Sequence, residues 1–262
     1  MSILQRNNVR TSGSGDRAMI FAHGFGCDQA MWRYVAPAFE DDFVTVLFDN
    51  VGAGNSDLTA FSETKYSQLS GYASDIIEIG QALHLKETVF VGHSVSSMIG
   101  ALASIEAPDL IQTLVMVGPS PRYIDDDGYV GGFNAAQIDE MLEFLDNNHL
   151  GWSAAMAPVI MGNADRPALG VELVNSFCRT DPAIAKHFAR TTFTSDNRSD
   201  LRKIRARSLI LQCSDDIIAP DEVGEYLHRE IPNSQLVKLR ATGHCPNLSA
   251  PDEVIAAIRD FV

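Results

Sequence analysis

The chain has 262 residues, of which 45% are hydrophobic and 21% are charged, and its formal net charge is −14. This length and composition are typical of one large globular domain, or of one domain that carries an inserted piece. The strong negative charge argues against non-specific binding of nucleic acid or of an anionic membrane surface.

Apolar runs and helical spacings alternate along the first half of the chain. Continuous apolar runs are typical of strands that are buried on both faces. We predict strands at residues 8–11, 18–22, 43–48, 88–91 and 114–117. Apolar side chains at helical spacing predict helices at residues 31–39 and 72–85, and after residue 94.

The second half of the chain has a different pattern. About ninety residues precede the next convincing strand, at 208–212, and this interval is too long for one crossover helix. We therefore predict an inserted, all-helical cap over residues 122–195, between core segments 1–121 and 196–262. Its predicted helices are 135–150, 152–161, 168–178 and 182–193. After the cap we predict helix 221–229, strand 236–239 and helix 251–262. The alternation predicts an α/β fold with a mostly parallel sheet and helices on both faces.

Ser94 lies where a predicted strand turns into a predicted helix, in the segment Gly-His-Ser-Val-Ser at residues 92–96. A serine at such a turn is typical of the nucleophile elbow of α/β-hydrolases, which projects the hydroxyl from the edge of the sheet. Ser96 stands where the G-x-S-x-G pattern has its second glycine, which is a mild departure. The alternative is an ordinary helix cap, because serine also favours that position.

A nucleophilic serine needs a base, and the base needs an acid to orient it. Among the seven histidines, His244 follows the last predicted strand, at the sheet edge where the serine must lie. The acid is expected after the preceding strand, where both Asp215 and Asp216 stand. The resulting chain order of serine, aspartate and histidine is the order of this fold.

Backbone N–H groups are expected to stabilise the oxyanion of such an enzyme. One belongs to Val95, directly after the serine, and the other to Phe25 in the loop His-Gly-Phe-Gly at residues 23–26. The glycines of this loop allow the backbone to approach a substrate closely. A plain turn is the alternative interpretation of the loop.

Five segments carry a wider resemblance: residues 22–29, 92–96, 120–123, 212–220 and 243–246. They resemble RsbQ, a family of bacterial α/β-hydrolases of general-stress signalling, and its plant relatives, the karrikin and strigolactone receptors. The resemblance covers nearly the whole chain, and Ser96 is similar to the karrikin-receptor form of the elbow. It implies that Asp216 is the acid and that Asp215 is a surface or turn residue.

The resemblance also implies a V-shaped, four-helix cap over a deep and mostly apolar pocket. The positions that match the family's pocket are Phe25, Tyr123, Met141, Met156, Leu173, Phe193, Ile217 and Ile218. Ordinary packing in the cap or core is the alternative for each of them. As a group they suit a small hydrophobic ligand, and the two methionines predict an adaptable wall.

The sequence therefore predicts a serine hydrolase of small apolar esters or lactones that needs no metal and no organic cofactor. The second hypothesis is a ligand sensor with slow hydrolysis. RsbQ-like proteins signal to a separate phosphatase partner, and the plant relatives couple ligand turnover to protein binding. A haloperoxidase or C–C hydrolase on the same fold is less favoured, and a haloalkane dehalogenase would need an aspartate in place of Ser94.

Four cysteines occur, and none forms a C-x-x-C pair, so zinc and thioredoxin-type chemistry are not expected. We interpret them as reduced thiols of a cytoplasmic protein, where they serve as small apolar fillers. Cys27, Cys213 and Cys245 lie beside the motifs, and an oxidant-sensitive site is the alternative. No apolar run approaches the length of a membrane span, and residues 1–20 lack the apolar core of a signal peptide.

Overall fold

Seven strands form one sheet in the computed structural model, which describes residues 1–262. In chain order, strands β1 to β7 are Arg10–Ser12, Arg17–Ala22, Phe43–Phe48, Thr88–His93, Ile111–Val117, Arg207–Gln212 and Ser234–Lys238. Their order across the sheet is β1-β3-β2-β4-β5-β6-β7, and only β1 runs antiparallel to its neighbour. The prediction of an α/β fold with a mostly parallel sheet is confirmed.

Ten α-helices accompany the sheet. In chain order, helices α1 to α10 are Ile3–Arg6, Leu69–Ala82, Val95–Glu106, Ala135–Asn147, His149–Met161, Pro167–Arg179, Pro182–Phe193, Asp221–Glu230, Pro246–Ser249 and Pro251–Arg259. None of them combines the length and the apolarity that a membrane-spanning helix requires.

Two expected elements at the N-terminal end take another form. Residues 31–39 were expected to be one helix, and instead the structure has two short 3₁₀ turns at Gln29–Trp32 and Ala36–Phe39. Pro37 explains the break, because proline has no N–H to donate within a continuing helix. The first strand begins at Arg10 rather than at residue 8, because Asn8 has a positive φ of 46° and cannot extend it.

Both faces of the sheet are covered, as a parallel sheet requires. Along β2, Ile20 faces the side on which α2, α3 and α8 pack, and the adjacent Phe21 faces the opposite side. That opposite side is covered by the two 3₁₀ turns and by α10. Because successive strand residues point to opposite faces, burial on both sides explains the unbroken apolar runs of the sequence.

The long interval between β5 and β6 contains helices α4 to α7. They share a separate buried cluster with the loops at the carboxyl edge of the sheet, including Cys27, Ile218 and Cys245. The predicted all-helical interval 122–195 is helical only from residue 135, where its first helix was expected, and residues 122–134 form irregular backbone with isolated bridges. Gly128 and Gly132 adopt positive φ there, which a helix does not permit. The two ends of the interval meet through an ion pair of 2.7 Å between Arg122 and Asp196.

Candidate active site

Ser94 occupies the sharp turn between β4 and α3, with φ 55° and ψ −125°. A positive φ in a residue other than glycine is strained, and it persists only where the surrounding structure enforces it. Gly92 makes room for the turn, because a Cβ at that position would lie 2.5 Å from the carbonyl oxygen of Ser96. The Ser94 hydroxyl makes no capping hydrogen bond to α3, so the helix-cap alternative is wrong.

The structure brings Ser94, His244 and Asp216 together at the carboxyl edge of the sheet. The Ser94 Oγ lies 2.7 Å from His244 Nε2, and His244 Nδ1 lies 2.8 Å from Asp216 Oδ2. Because the carboxylate only accepts hydrogen bonds, Nδ1 carries the proton and Nε2 is free to accept the hydroxyl proton of Ser94. All three residues are at most 6% exposed, so this proton path is shielded from water.

The two candidate aspartates behave differently. Asp216 is buried, and its Oδ1 accepts the backbone N–H groups of Ile218 at 2.9 Å and Ala219 at 3.2 Å. Those bonds fix the carboxylate so that its second oxygen faces His244. Asp215 is exposed, and it contributes only its backbone carbonyl, which accepts the N–H of Gly243 at 2.7 Å.

The loop that carries His244 is held from two sides. The backbone N–H of His244 donates to the carbonyl of Ile160, near the end of α5, at 2.9 Å. Its carbonyl accepts a hydrogen bond of 2.8 Å from His93 Nε2. Burial lowers the pKa of His93 to about 3, with the nearby His244 adding to the effect, so the His93 ring stays neutral near neutral pH. His93 therefore positions the base and carries no charge of its own.

Two backbone N–H groups next to the serine have no partner within the chain: those of Phe25 and Val95. The Phe25 loop approaches the elbow closely, because a Cβ on Gly24 would lie 2.6 Å from His93 Nδ1. The Ser96 hydroxyl donates to the carbonyl of His23 at 2.5 Å, which ties this loop to the first turn of α3. Sequence reasoning treated Ser96 only as a small substitute for glycine and missed this contact.

Ser96→Ala is expected to lower kcat by about tenfold to a hundredfold while KM changes little. The Phe25 N–H is the expected oxyanion donor of this loop. Loss of such a donor costs about 10²–10³ in kcat, and a loosened loop would displace the donor rather than remove it. The measurement is steady-state kinetics with p-nitrophenyl acetate.

The matched control for this variant is Ser97→Ala. Ser97 is equally buried, but its hydroxyl donates to the carbonyl of Gly92 at 2.8 Å and does not reach the Phe25 loop. Equal losses in the two variants would mean that the elbow is generally destabilised and that Ser96 has no particular role in the loop.

A narrow cavity of about 30 Å³ opens beside Ser94. Nine of its thirteen lining residues are hydrophobic, which suits a small apolar ligand. The lining residues are Phe25, Cys27, His93, Ser94, Tyr123, Ile160, Leu173, Phe177, Thr192, Phe193, Ile218, His244 and Cys245.

Five of the eight expected pocket residues line this cavity: Phe25, Tyr123, Leu173, Phe193 and Ile218. The other three do not. Met141 and Met156 pack, half-buried, against the cluster shared by α4 to α7. The two methionines were expected to provide part of the apolar wall. The rings of Phe25, Phe177 and Phe193 form much of that wall instead.

Ile217 is 43% exposed, contrary to expectation. Its neighbours Asp216 and Ile218 are both buried, and the side chain between them points to solvent. Among the residues that sequence reasoning missed, Phe177 belongs to a predicted helix. Helical spacing identifies the apolar face of a helix, but it does not show which of its residues reach the serine.

Cys27 and Cys245 also line the cavity, and all four cysteines are unpaired. Burial raises the pKa of both thiols above the ordinary cysteine value. Thiols in that state are poor nucleophiles, so both residues fit their interpretation as apolar fillers. No group of three or more His, Cys, Asp or Glu side chains is arranged to hold a metal ion.

Comparison with known proteins gives four findings. The profile of the alpha/beta hydrolase family matches residues 19–257. Over 256 residues the chain is 38% identical to the karrikin insensitive 2 receptor CA of Petunia hybrida, covering 97% of this chain and 94% of that protein. It is 36% identical over 259 residues to a strigolactone esterase of Arabidopsis thaliana, covering 98% of this chain and 97% of that protein. A solved hydrolase structure from Oleispira antarctica aligns with a TM-score of 0.96 at 43% identity, covering 99% of this chain and 95% of that one.

Proposed function

The chain belongs to the alpha/beta hydrolase family, and from that premise we propose that it is a serine hydrolase of small apolar carboxylic esters or lactones. One observation carries the proposal: the hydrogen-bonded line from Asp216 through His244 ends at Ser94, which lines a narrow, mostly apolar cavity. Such a line is the arrangement that activates a serine hydroxyl for acyl transfer.

In the proposed reaction, Ser94 Oγ attacks the carbonyl carbon of the ester while His244 Nε2 takes its proton. The carbonyl oxygen becomes an oxyanion, which accepts hydrogen bonds from the free N–H groups of Phe25 and Val95. His244 then gives the proton to the leaving oxygen, and an acyl group remains on Ser94. A water molecule, activated by the same histidine, releases the acid and restores the serine.

We also propose that residues 122–195 form a cap of the RsbQ type. The origin of the cavity wall supports this proposal: Ile160, Leu173 and Phe193 come from three of the four inserted helices. Ser94 and His244 come from the two core segments on either side of the insertion. A substrate would then be enclosed between cap and core, where exclusion of water strengthens the electrostatic contacts.

The test is a panel of p-nitrophenyl esters and butenolide lactones, assayed with the unmodified chain and with Ser94→Ala side by side. We expect turnover of short-chain esters to exceed turnover of long-chain esters, because the cavity is small. Phenylmethylsulfonyl fluoride should add one equivalent, and mass spectrometry should find it on Ser94. An adduct on Ser96 or Ser97, or equal hydrolysis by both proteins, would contradict the proposal.

A ligand sensor is the second candidate, because 38% identity to a karrikin insensitive receptor extends over 97% of the chain. In this case hydrolysis is slow, and ligand binding is reported to a protein partner, which would be a signalling phosphatase as in RsbQ. The turnover number in the same panel separates the two candidates. A ligand-dependent pull-down with turnover slower than about one per minute supports the sensor. Turnover in the usual enzymatic range of about 1–10³ s⁻¹ without ligand-dependent capture supports a metabolic esterase.

A further inference from the structure

Three threonines lie near the end of α7, and they differ in how their hydroxyls are satisfied. Thr191 donates to the carbonyl of Tyr66 at 3.0 Å, and Thr194 donates to the carbonyl of Arg190 at 2.8 Å. Thr192 is 1% exposed, and its hydroxyl has no hydrogen-bond partner. It is the only one of the three that lines the cavity beside Ser94.

Thr192 lacks the hydrogen bond that the hydroxyl of a helical threonine usually makes. A threonine in a helix ordinarily donates to the carbonyl four residues earlier, as Thr194 does. For Thr192 that acceptor would be Phe188, and no such bond forms. A buried hydroxyl without a partner destabilises a fold, so a valine of the same shape would serve the packing better. The hydroxyl of Thr192 is therefore available to a molecule in the cavity.

A second hydroxyl of the cavity lies at the nucleophile. Tyr123 is 1% exposed, and its Oη lies next to the Ser94 side chain and meets no other hydrogen-bond partner. Burial raises the pKa of this phenol far above its ordinary value, so it stays protonated near neutral pH. The Tyr123 hydroxyl therefore belongs to the reacting end of the cavity. Thr192 contributes the unpaired hydroxyl of a wall that is otherwise mainly apolar.

We propose that the hydroxyl of Thr192 binds an oxygen atom on the part of the ligand that does not react. The inference rests on the proposed hydrolase function, because the reacting carbonyl is assigned there to Ser94 and the two free N–H groups. The natural ligand is then a small ester or lactone with a further acceptor oxygen, as in an ether or a second carbonyl. A purely hydrocarbon acyl chain would leave this donor unpaired, which a polar site penalises.

Three esters of equal chain length test this inference: p-nitrophenyl pentanoate, ethoxyacetate and methoxypropanoate. The last two replace one methylene by an ether oxygen, at different distances from the carbonyl. The measured quantity is the ratio of kcat/KM for each ether ester to kcat/KM for the pentanoate. Comparing that ratio between proteins cancels the intrinsic reactivity of each ester.

In Thr192→Val we expect this ratio to fall about tenfold for one of the two ether esters, as the loss of one hydrogen bond predicts. The Tm should rise because an unpaired buried hydroxyl has been removed. Thr191→Val is the matched control, since it makes the same change on the same helix away from the cavity, and it should leave the ratio unchanged. Tyr123→Phe should also leave the ratio unchanged, because this hydroxyl lies next to Ser94 and meets the same part of all three esters.

A ratio that stays the same in Thr192→Val would overturn the inference. An equal fall of the ratio in Thr191→Val or Tyr123→Phe would also contradict it, because the loss would then not be particular to Thr192. Dissociation constants of the three esters for Ser94→Ala, with and without Thr192→Val, give an arm that needs no hydrolysis. A tenfold loss of preference there, together with no hydrolysis of any of the three esters by the unmodified chain, would retain this site and reject the hydrolase.

Discussion

Ser94→Ala and His244→Ala are each expected to lower kcat by at least about 10⁴-fold on any ester that the chain hydrolyses. The reason is geometric: the 2.7 Å contact joins Ser94 Oγ to the only base that reaches it, so neither group works alone. The double variant should be hardly slower than either single variant, because groups that act as one unit are not additive. Pre-steady-state and steady-state rates with p-nitrophenyl acetate provide the measurement.

Additive losses in the double variant would contradict this expectation, since they would mean that Ser94 and His244 act independently. His244→Ala should also abolish covalent labelling by phenylmethylsulfonyl fluoride, because the hydroxyl is nucleophilic only while a base accepts its proton. Near-ultraviolet circular dichroism on each variant controls for loss of the native packing.

Asp216→Asn is expected to lower kcat by about 10³–10⁴-fold with little change in stability. An asparagine oxygen can keep the two bonds from Ile218 and Ala219 that now reach Oδ1. Its amide nitrogen would then face His244 Nδ1, where the carboxylate now accepts at 2.8 Å. Two donors cannot share that contact, so Nδ1 would lose its proton to Nε2 and the histidine could no longer accept from Ser94.

Asp215→Asn is the matched control, and it should change kcat by less than about twofold. Asp215 is exposed, and its contribution to the histidine loop is a backbone carbonyl that the substitution leaves in place. Steady-state kinetics of both variants under identical conditions make the comparison. A greater loss in Asp215→Asn than in Asp216→Asn would show that the orienting acid has been assigned to the wrong residue.

Several features of this protein could be predicted from local patterns. Continuous apolar runs predicted the parallel strands, because burial on both faces removes the polar alternation of an exposed strand. Turn residues at the strand ends singled out Ser94, His244 and the two candidates Asp215 and Asp216, because carboxyl ends of parallel strands meet at one edge. The choice of Asp216 came from the family resemblance. Local patterns failed where one residue overrides its neighbours, as Pro37 does in breaking the expected helix at 31–39.

Other features depend on contacts between residues that are distant in the chain. The bond from Ser96 to the carbonyl of His23 joins positions 73 residues apart, and no local pattern indicates it. The cavity wall was predicted in part, because Met141 and Met156 lie on apolar helix faces that pack elsewhere.

The sequence by itself determined the order of strands and helices and the residues at the strand ends, because hydrophobic periodicity and turn chemistry are local. The tertiary structure alone decided which apolar side chains reach Ser94 and which polar groups stay unpaired. Thr191, Thr192 and Thr194 are the same residue type in one short segment, so the sequence does not distinguish them. Only the packing of α7 leaves the Thr192 hydroxyl without a hydrogen-bond partner. Packing between elements is set by the whole set of contacts at once, which no short stretch of sequence contains.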